Sequence, residues 1–373
     1  MRCLGLGLAA LLSLGCSDGV TAPPGTRVEV SGRLERGGVI VLHLIAGGDT
    51  VPPGAITWEA FPSGVATLTP DTLGGALLLP VATGTITVVA QANGAVVERA
   101  LAIAPPPSIV FALLTNGNRD LWRVALDGRD TARLTTDPAD DRLPTAAAGR
   151  IVFVSTRNGA SGLFAVGYQG GAVTPVLTSS AFLDQPALSP TGGRLAFVYA
   201  DSGAPKVWVA NGNGSGARWL APSLGFLGSV EGWPAWSPDG TRLALMSTAP
   251  GPSSLFVVDP SGTVLDTLVD TMTAFQPAWS PDGGRVVFAG APTGQNTSLF
   301  VVSIGGSTAR LTNRAGHDDS DPTWLRDGRI VYLASLTDST AELRWLDPTV
   351  PGVTVTIPLP PGLPSSPRYL PPT

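Results

Sequence analysis

The feature that most constrains the fold of this chain is a repeated motif, Pro-Ala-Trp-Ser-Pro-Asp-Gly. It is complete at residues 234–240 and again at 277–283, and looser copies begin at Pro144, Pro186 and Pro322. Each copy leads into an arginine and an apolar run, and successive arginines are separated by 44, 48, 43 and 44 residues. These arginines are Arg150, Arg194, Arg242, Arg285 and Arg329. A period of about 40–45 residues is typical of the four-stranded blades of a β-propeller.

The composition of the motif predicts a hairpin between two neighbouring strands. Proline presets φ at the first corner of a type I turn, aspartate tolerates the second corner, and glycine accepts the left-handed conformation that completes the loop. Asp239 and Asp282 are therefore interpreted as turn formers. Trp236 and Trp279 end the strand before the turn, and we expect their large apolar rings to pack one blade on the next.

Two further strands are predicted in each repeat, after a loop rich in Gly, Ser and Asn, and no helical period interrupts them. This pattern resembles the TolB-type, WD-like repeat of bacterial periplasmic propellers, over about residues 108–373. The resemblance implies a β-propeller at 108–373. It implies little about activity, because propellers host many unrelated functions.

The number of blades depends on the C-terminal segment. Six apolar strands match the strand that follows the hairpin, but only five of them have a motif strand in front. The segment at Ser366 and Pro367 matches the missing motif strand, so we expect it to become the innermost strand of the blade built from residues 109–135. The resulting ring would have six blades and no exposed edge strand, which would otherwise invite association.

The first sixteen residues predict export. Arg2 precedes an apolar run at residues 4–14, which is too short to span a membrane. The segment Ser13-Leu14-Gly15-Cys16 resembles a lipobox, which implies a lipoprotein signal peptide at 1–16 and lipidation of Cys16; an ordinary signal peptide cleaved nearby is the alternative. Ser17, where an aspartate would favour retention, indicates the periplasmic face of the outer membrane by analogy with enteric sorting.

Between this segment and the propeller, the sequence predicts a tether at 17–26, a small domain at 27–104 and a proline linker at 105–107. Seven short strands are predicted in the domain. Two segments, at residues 57–68 and 82–94, resemble the bacterial immunoglobulin-like domain, which implies an Ig-like β-sandwich with Trp58 in its core. An irregular N-terminal segment is the alternative. The expected fold class is therefore all-β throughout.

The net charge and the numbers of cysteine and histidine residues argue against several kinds of partner and site. The net charge of −5 argues against nucleic acid and anionic lipid as partners. The two cysteines, Cys3 and Cys16, both lie in the predicted export segment, so no disulfide is expected. With only His43 and His317 in the chain, a His-rich metal site is excluded, and no metal or cofactor is predicted. The motifs of nucleophile elbows, phosphate loops and dinucleotide folds are also absent from the sequence.

The candidate binding site lies at one rim of the propeller channel, at the residue before each motif proline. These positions hold Leu143, Gln185, Trp233, Gln276, Asp321 and Ser366. Their loops add Asp140, Asp141, Asp184, Glu231, Phe275, His317, Asp318 and Asp319, which predicts an acidic rim suited to a polar or cationic ligand. The candidate ligand-binding residues are Gln185, Trp233, Gln276, His317, Asp318 and Asp321. A water-filled channel mouth that binds nothing is the alternative, and solvated loop acids are favoured over a calcium site for Asp318, Asp319 and Asp321.

These features favour a non-enzymatic binding or scaffold protein that is anchored in the bacterial cell envelope. Its expected partner is an envelope protein or a small polar ligand, and its only expected contact with the membrane is the lipid on Cys16. The alternative is a hydrolase or lyase that acts on saccharide or peptide in the channel. In that hypothesis a carboxylate pair such as Asp318 and Asp321 supplies the acid and the base.

Overall fold

A computed structural model describes residues 25–46, 49–51, 56–92, 95–220, 230–248, 253–337 and 340–372. Within these ranges the regular structure is entirely β. They contain no helix long and apolar enough to cross a membrane. The predicted signal peptide, Cys16 and nearly all of the predicted tether lie outside the described residues, so the anchor stays a prediction.

The chain folds as two compact units, with the boundary between Pro106 and Pro107. The first unit has these strands in its described ranges: β1 (Arg27–Gly32), β2 (Ile40–Ala46), β3 (Asp49–Thr50), β4 (Ile56–Phe61), β5 (Ala66–Pro70), β6 (Ala76–Pro80), β7 (Gly84–Ala92) and β8 (Ala95–Ile103). One sheet has the order β1-β2-β6-β5 with β3 on β2, and the other has the order β4-β7-β8. Besides the seven predicted strands, these ranges therefore hold the two-residue β3.

One apolar core serves both sheets of the first unit. Leu42 and Leu78 of the larger sheet pack in the same cluster as Trp58, Ile86 and Val88 of the smaller sheet. The alternation of buried and exposed residues along β6 and β7 places every second side chain in this core. Trp58 is buried, as the sequence predicted, and its Nε1 donates to the carbonyl of Gly74 over 3.4 Å.

The second unit repeats one pattern of four antiparallel strands. Its strands in the described ranges begin with β9 (Ser108–Thr115), β10 (Asn118–Ala125), β11 (Ala132–Arg133), β12 (Asp141–Ala147), β13 (Arg150–Ser155), β14 (Gly162–Gly167), β15 (Gly170–Leu177), β16 (Phe182–Leu188), β17 (Arg194–Ala200), β18 (Lys206–Asn211) and β19 (Arg218–Trp219). They continue with β20 (Glu231–Trp236), β21 (Leu243–Ser247), β22 (Ser254–Val258), β23 (Val264–Val269), β24 (Thr273–Trp279), β25 (Arg285–Ala291), β26 (Ser298–Ser303) and β27 (Thr308–Arg310). The last are β28 (Asp319–Trp324), β29 (Ile330–Thr337), β30 (Thr340–Leu346), β31 (Thr354–Thr356) and β32 (Leu363–Leu370).

These strands form six four-stranded sheets in the described part of the unit, here called blades. Blades 1 to 5 are β12–β15, β16–β19, β20–β23, β24–β27 and β28–β31. Blade 6 has the order β11-β10-β9-β32, with β32 paired to β9 from Leu363 opposite Leu114 to Leu370 opposite Ser108. Strand β32 also contacts both β12 and β28, while β12, β16, β20, β24 and β28 contact one another in succession. The predicted motif strands are thus the first strands of blades 1 to 5, as expected for innermost strands of a propeller.

The core of the second unit lies between successive blades. Trp236 of blade 3 packs in one cluster with Ala187 and Ala196 of blade 2, and its Nε1 donates to the carbonyl of Ala187 over 3.1 Å. Trp279 of blade 4 makes the equivalent bond to Ala235 of blade 3 over 3.0 Å. The prediction that the motif tryptophans pack one blade on the next is confirmed.

The turn chemistry of the motif is also confirmed. At Ser237–Gly240 the glycine has a φ of 68° and its N–H donates to the Ser237 carbonyl over 2.8 Å. Oδ1 of Asp239 accepts bonds from the Ser237 hydroxyl and from the Thr241 N–H. The Ser237 hydroxyl is the main reason why the pKa of Asp239 falls to about 2. Asp282 forms the same bonds in the next copy of the motif.

Candidate functional site

The residue before each motif proline interrupts its innermost strand with a bulge. The pairing with the next strand shifts register around this residue in all six described blades. Proline brings no N–H to the ladder, so the chain bulges where the ladder bond is lost. The backbone is left-handed at Leu143, Gln185, Trp233, Gln276, Asp321 and Ser366, with φ between 48° and 53°. Such a conformation costs a non-glycine residue about 1–3 kcal/mol, and clusters of it are typical of functional sites.

The six bulges surround a central cavity of about 180 Å³. All six innermost strands contribute to its lining, including Gln185, Trp233 and Gln276 of the predicted site. Trp236, Trp279 and Trp324 also reach it from three successive blades. Four of the six residues that precede a motif proline line this cavity, namely Leu143, Gln185, Trp233 and Gln276, whereas Asp321 and Ser366 do not.

Polar bulge residues hold neighbouring blades together. Oε1 of Gln185 accepts the N–H of Trp233 over 2.6 Å, and Oε1 of Gln276 accepts the N–H of Asp321 over 2.9 Å. Nε2 of Gln276 also donates to Oδ1 of Asp321 over 2.6 Å, and the Ser366 N–H donates to the same carboxyl group. In each case the side chain at one bulge bonds the backbone at the bulge of the next blade. These bonds between blades explain in part why polar residues recur at the position before the motif proline.

Arg368 is the cavity residue that sequence reasoning missed. It lies two residues after the bulge of β32, and the equivalent residues of the other blades are Thr145, Ala187, Ala235, Ala278 and Thr323, which all line the cavity. A single long cation therefore projects into space that five small side chains leave open. An alignment of the six repeats would have revealed this residue, since arginine stands where every other blade has alanine or threonine.

Arg368 is the one charged side chain that lines the central cavity among the described residues. Its Nη1 donates to the carbonyl of Pro367 over 2.7 Å. Burial lowers the pKa of the guanidinium, and the nearby carboxylate of Asp321 opposes this shift. Burial raises the pKa of Asp321. The charge of Arg368 and the hydrogen bonds from Ser366 and Gln276 act to lower it. The cavity therefore offers a partly desolvated cation, two amides and indole rings to a ligand.

The acids expected to make the rim negative are mostly paired with cations. Asp184 of blade 2 bonds Arg142 of blade 1 over 2.6 Å, and burial raises the pKa of Asp184 although Arg142 opposes it. The other pairs are Asp141–Arg157, Glu231–Lys206, Asp319–Arg314 and Asp140–Arg119, at 2.9, 3.1, 2.9 and 3.1 Å. These pairs correct the expectation of an acidic rim, because five of the expected rim carboxylates already have a counter-charge.

His317 and Asp318 lie apart from the cavity lining. Both are in the connection between β27 and β28, where Oδ1 of Asp318 accepts the Thr297 N–H over 2.7 Å and the carboxylate is exposed. Asp321 contacts the cavity residue Gln276 but is itself buried behind it. In the part of the chain that the structure describes, no group of three or more His, Cys, Asp or Glu side chains could hold a metal ion.

Comparison with known proteins shows which propellers this chain is similar to. Residues 233–343 match the family model PD40, the TolB beta propeller domain. A protein TolB homolog of Chlorobium luteolum is 29% identical over 29% of this chain and 34% of its own length. The Tol-Pal system protein TolB of Alcanivorax borkumensis is 28% identical over 33% of this chain and 29% of its own length. The chain thus matches about a third of the length of these curated relatives.

Solved structures agree on the fold. The crystal structure of TolB from Acinetobacter baumannii superposes with a TM-score of 0.66 at 14% identity, covering 84% of this chain and 82% of that one. A putative TolB from Agrobacterium tumefaciens gives a TM-score of 0.54 at 18% identity, covering 67% and 88%. At these identities the likeness concerns fold alone. The second unit has the β-propeller fold of these structures.

Proposed function

We propose that the protein is a non-enzymatic binding protein of the bacterial cell envelope whose central cavity receives a polar segment of a protein partner. The observation that carries this proposal is the convergence of six strained bulges on one cavity lined by Gln185, Trp233, Gln276 and Arg368. Indole rings supply stacking surface, while the amides and the guanidinium supply hydrogen bonds, which is the mixture typical of ligand pockets. The guanidinium favours an occupant with an acceptor or anionic group.

The names of the relatives support an envelope role. One of them is a Tol-Pal system protein, and we extend to this chain a function in an assembly of that kind, with an envelope protein as its partner. The shared region spans only part of those proteins, so the proposal rests mainly on the cavity. A small polar ligand that fits within 180 Å³ is the second class of occupant that the same groups would bind.

The architecture suits an anchored scaffold. In this proposal Cys16 carries a lipid on the periplasmic face of the outer membrane, residues 17–26 form a tether, and residues 27–104 form an Ig-like sandwich before the linker at 105–107. The propeller at 108–373 would be a ring of six blades closed by β32. The two-sheet core around Trp58 and the pairing of β32 with β9 support these assignments.

The hydrolase or lyase alternative has less support from the geometry. Asp318 is exposed and bonded to the Thr297 N–H, while Asp321 is buried and bonded to Gln276. Neither carboxylate is among the described residues that line the central cavity. An acid and base that work on one substrate would have to flank the bond that is cleaved.

A cross-linking experiment in living cells tests the proposal. Benzoylphenylalanine in place of Trp233 would lie at the cavity, and the same group in place of Leu265, which is 53% exposed on the outer strand β23, serves as the control. We expect a discrete envelope partner to cross-link from position 233 and not from position 265. Identical products from both positions would contradict the proposal. Turnover of oligosaccharides or peptides by the purified protein, lost in Asp321→Asn, would favour the enzymatic alternative.

A further inference from the structure

A second cavity, of about 460 Å³, lies between blades 4 and 5 and is separate from the central cavity. One wall is the outer strand β27 with the connection that follows it, at residues 310–314. The other wall is the outer part of blade 5, with Tyr332 of β29, Arg344 of β30 and the turn before β31. We call this cavity the arginine groove. Its volume lies within the range of about 300–1,000 Å³ found for small-molecule sites.

Three arginines line the groove among the described residues: Arg310, Arg314 and Arg344. Arg314 donates to Asp319 and to the Ser335 carbonyl, both over 2.9 Å, and these bonds hold it against the wall. Arg344 is held in the same way by Glu342. A guanidinium has five N–H donors, so both side chains keep donors for a ligand.

Arg310 is bonded to neutral groups. It donates to Gln295, Ser298 and the carbonyl of Thr312, over 3.0, 2.7 and 2.9 Å. The one carboxylate that lines the groove, within the described ranges, is that of Asp347, which accepts the N–H and hydroxyl of Thr349 over 3.0 and 2.6 Å. Asp319 and Glu342, the carboxylate partners of Arg314 and Arg344, are not among the described lining residues, so the lining itself presents three guanidinium groups and one carboxylate.

Tyr332 presents a buried donor that lacks an acceptor. The residue has no exposed surface, and its hydroxyl has no hydrogen-bond partner; the Thr354 hydroxyl is near it without forming a well-aligned bond. Burial is the main cause that raises the pKa of this phenol, and the carboxylate of Asp319 raises it further, while the charges of Arg344 and Arg314 act in the opposite direction. A buried hydroxyl without a partner is uncommon and unfavourable, so an acceptor oxygen bound between these groups would stabilise the site.

Part of the lining of the groove is apolar. Leu311 and Leu346 line it, and the turn from Val350 to Val353 adds side chains that are about half exposed, 49% for Val350 and 52% for Val353. The valines and the three arginines line the same groove, which therefore combines apolar and cationic surface. Such a surface is complementary to a molecule with an anionic head and an apolar body.

We propose that the arginine groove binds an organic anion, with its oxyanion group on Arg314, Arg344 and Tyr332 and its apolar body on the Val350–Val353 turn. The site is independent of the central cavity and of the partner proposed for it. Asp347 opposes the binding of an anion, so its removal strengthens binding.

The test uses 8-anilinonaphthalene-1-sulfonate, an anionic fluorophore, and its neutral analogue N-phenyl-1-naphthylamine. We expect the folded parent protein to bind the sulfonate saturably at one site and at least about tenfold more tightly than the neutral probe, since bonds to charged groups are the stronger ones. Arg344→Gln should weaken the sulfonate about tenfold or more, Tyr332→Phe by about two- to tenfold, and Asp347→Asn should tighten it.

Matched controls separate this groove from other cationic surfaces. Arg218→Gln alters an exposed arginine of another inter-blade cleft, where it bonds the Pro260 carbonyl, and Arg368→Gln alters the central cavity. Both should leave the affinity for the sulfonate unchanged. If Arg344→Gln does not fold by circular dichroism, Tyr332→Phe, which removes only the hydroxyl, decides the test. The proposal is overturned if the parent does not bind the sulfonate, if the groove variants bind it as the parent does, or if Arg368→Gln alone abolishes binding.

Discussion

The guanidinium of Arg242 lies over the indole ring of Trp279, 4.7 Å from its centroid, and its Nη2 donates to the carbonyl of Gly283 over 3.3 Å. Arg242 ends one copy of the repeated motif, and Trp279 and Gly283 belong to the next copy. The same stacking joins Arg194 to Trp236 at 6.0 Å and Arg285 to Trp324 at 5.2 Å. The motif is therefore complementary to its own next copy. This explains why tryptophan and arginine recur together.

Where the next blade lacks the motif tryptophan, the motif arginine can bond backbone carbonyls instead. Blade 2 has Leu188 in place of the tryptophan. The Nη2 of Arg150 donates to the carbonyls of Gly192 and Gly212, both over 2.8 Å. Arg150 thus connects blades 1 and 2 through backbone carbonyls, whereas Arg329 stays within blade 5, where it bonds Asp327 and lies over the ring of Trp345.

The first prediction concerns the tryptophan between blades 3 and 4. Trp279→Ala should lower the free energy of unfolding by about 3–5 kcal/mol, because it leaves a cavity and removes the bond to the Ala235 carbonyl. Phe182→Ala, at a residue that is 44% exposed, is the control and should change it by less than about 0.5 kcal/mol. Urea denaturation measures both. Equal, small effects would mean that the indole does not support the blade interface.

The second prediction concerns the pair at two bulges. The side chain of Gln276 bonds both the N–H and the carboxylate of Asp321. Gln276→Leu leaves these two groups without that partner, and each should cost about 1–3 kcal/mol of the free energy of unfolding. The double variant Gln276→Leu with Asp321→Leu should recover part of the loss. Leucine fits this position, because Leu143 occupies the same bulge in blade 1 with a φ of 50°. Strictly additive losses in the double variant would contradict the proposed coupling.

The third prediction concerns the strand β32. Deletion of residues 363–373 removes the partner of β9, and we expect non-cooperative unfolding and aggregation through the exposed edge. The control deletes only residues 371–373, which follow β32 and leave its ladder intact. Calorimetry and light scattering distinguish the two proteins. An unchanged melting transition in the longer deletion would refute closure of the ring by this strand.

The fourth prediction concerns acid stability. Hydrogen bonds from Ser237 and Thr241 lower the pKa of Asp239 from 3.8 to about 2 in the folded protein. A carboxyl group with a depressed pKa stabilises the fold above its unfolded pKa, and this contribution is lost as the pH falls from about 4 to about 2. Asp239→Asn should therefore be less stable than the parent at pH 7 and nearly equal to it at pH 2. Asp201→Asn, in an exposed loop, is the control, and a pH-independent gap between parent and Asp239→Asn would exclude this linkage.

The fifth prediction concerns the proposed anchor. Cys16→Ser removes the only sulfur that the resemblance to a lipobox assigns to lipidation, so the protein should move from the detergent phase to the aqueous phase in Triton X-114 partitioning. Ser17→Ala leaves the cysteine in place and should partition as the parent does. If Cys16→Ser also stays in the detergent phase, an ordinary cleaved signal or another mode of attachment is indicated.

Much of the fold could be predicted from the sequence because its signals are local. A turn such as Ser237–Gly240 depends on four consecutive residues and one glycine with a positive φ. The burial of Trp236 followed from its place in a repeat of known period. Even the distant partner of β9 was predictable, since Ser366 and Pro367 complete a set of motif strands that was one short.

The site was only partly predictable. Gln185, Trp233 and Gln276 reach the central cavity as expected, because they occupy one position of the repeat. The same repeat did not reveal that Gln276 and Asp321 would bond each other, nor that His317 and Asp318 would lie away from the cavity lining. Arg368 was not predicted, because the polar residues that recur in the repeat stand directly before the proline, whereas Arg368 stands directly after it.

The sequence by itself determined the all-β class, the repeat length, the hairpin turns and the strand that completes blade 6, because each depends on short motifs whose backbone preferences are intrinsic. Only the tertiary structure decided which charged side chains pair or lie close together. Asp184 meets Arg142 from 42 residues away, and Arg310, Arg314 and Arg344 gather in one groove from different parts of two blades. A charge acts on whatever lies within a few ångströms, and neighbours at that distance are set by the packing of blades rather than by order along the chain.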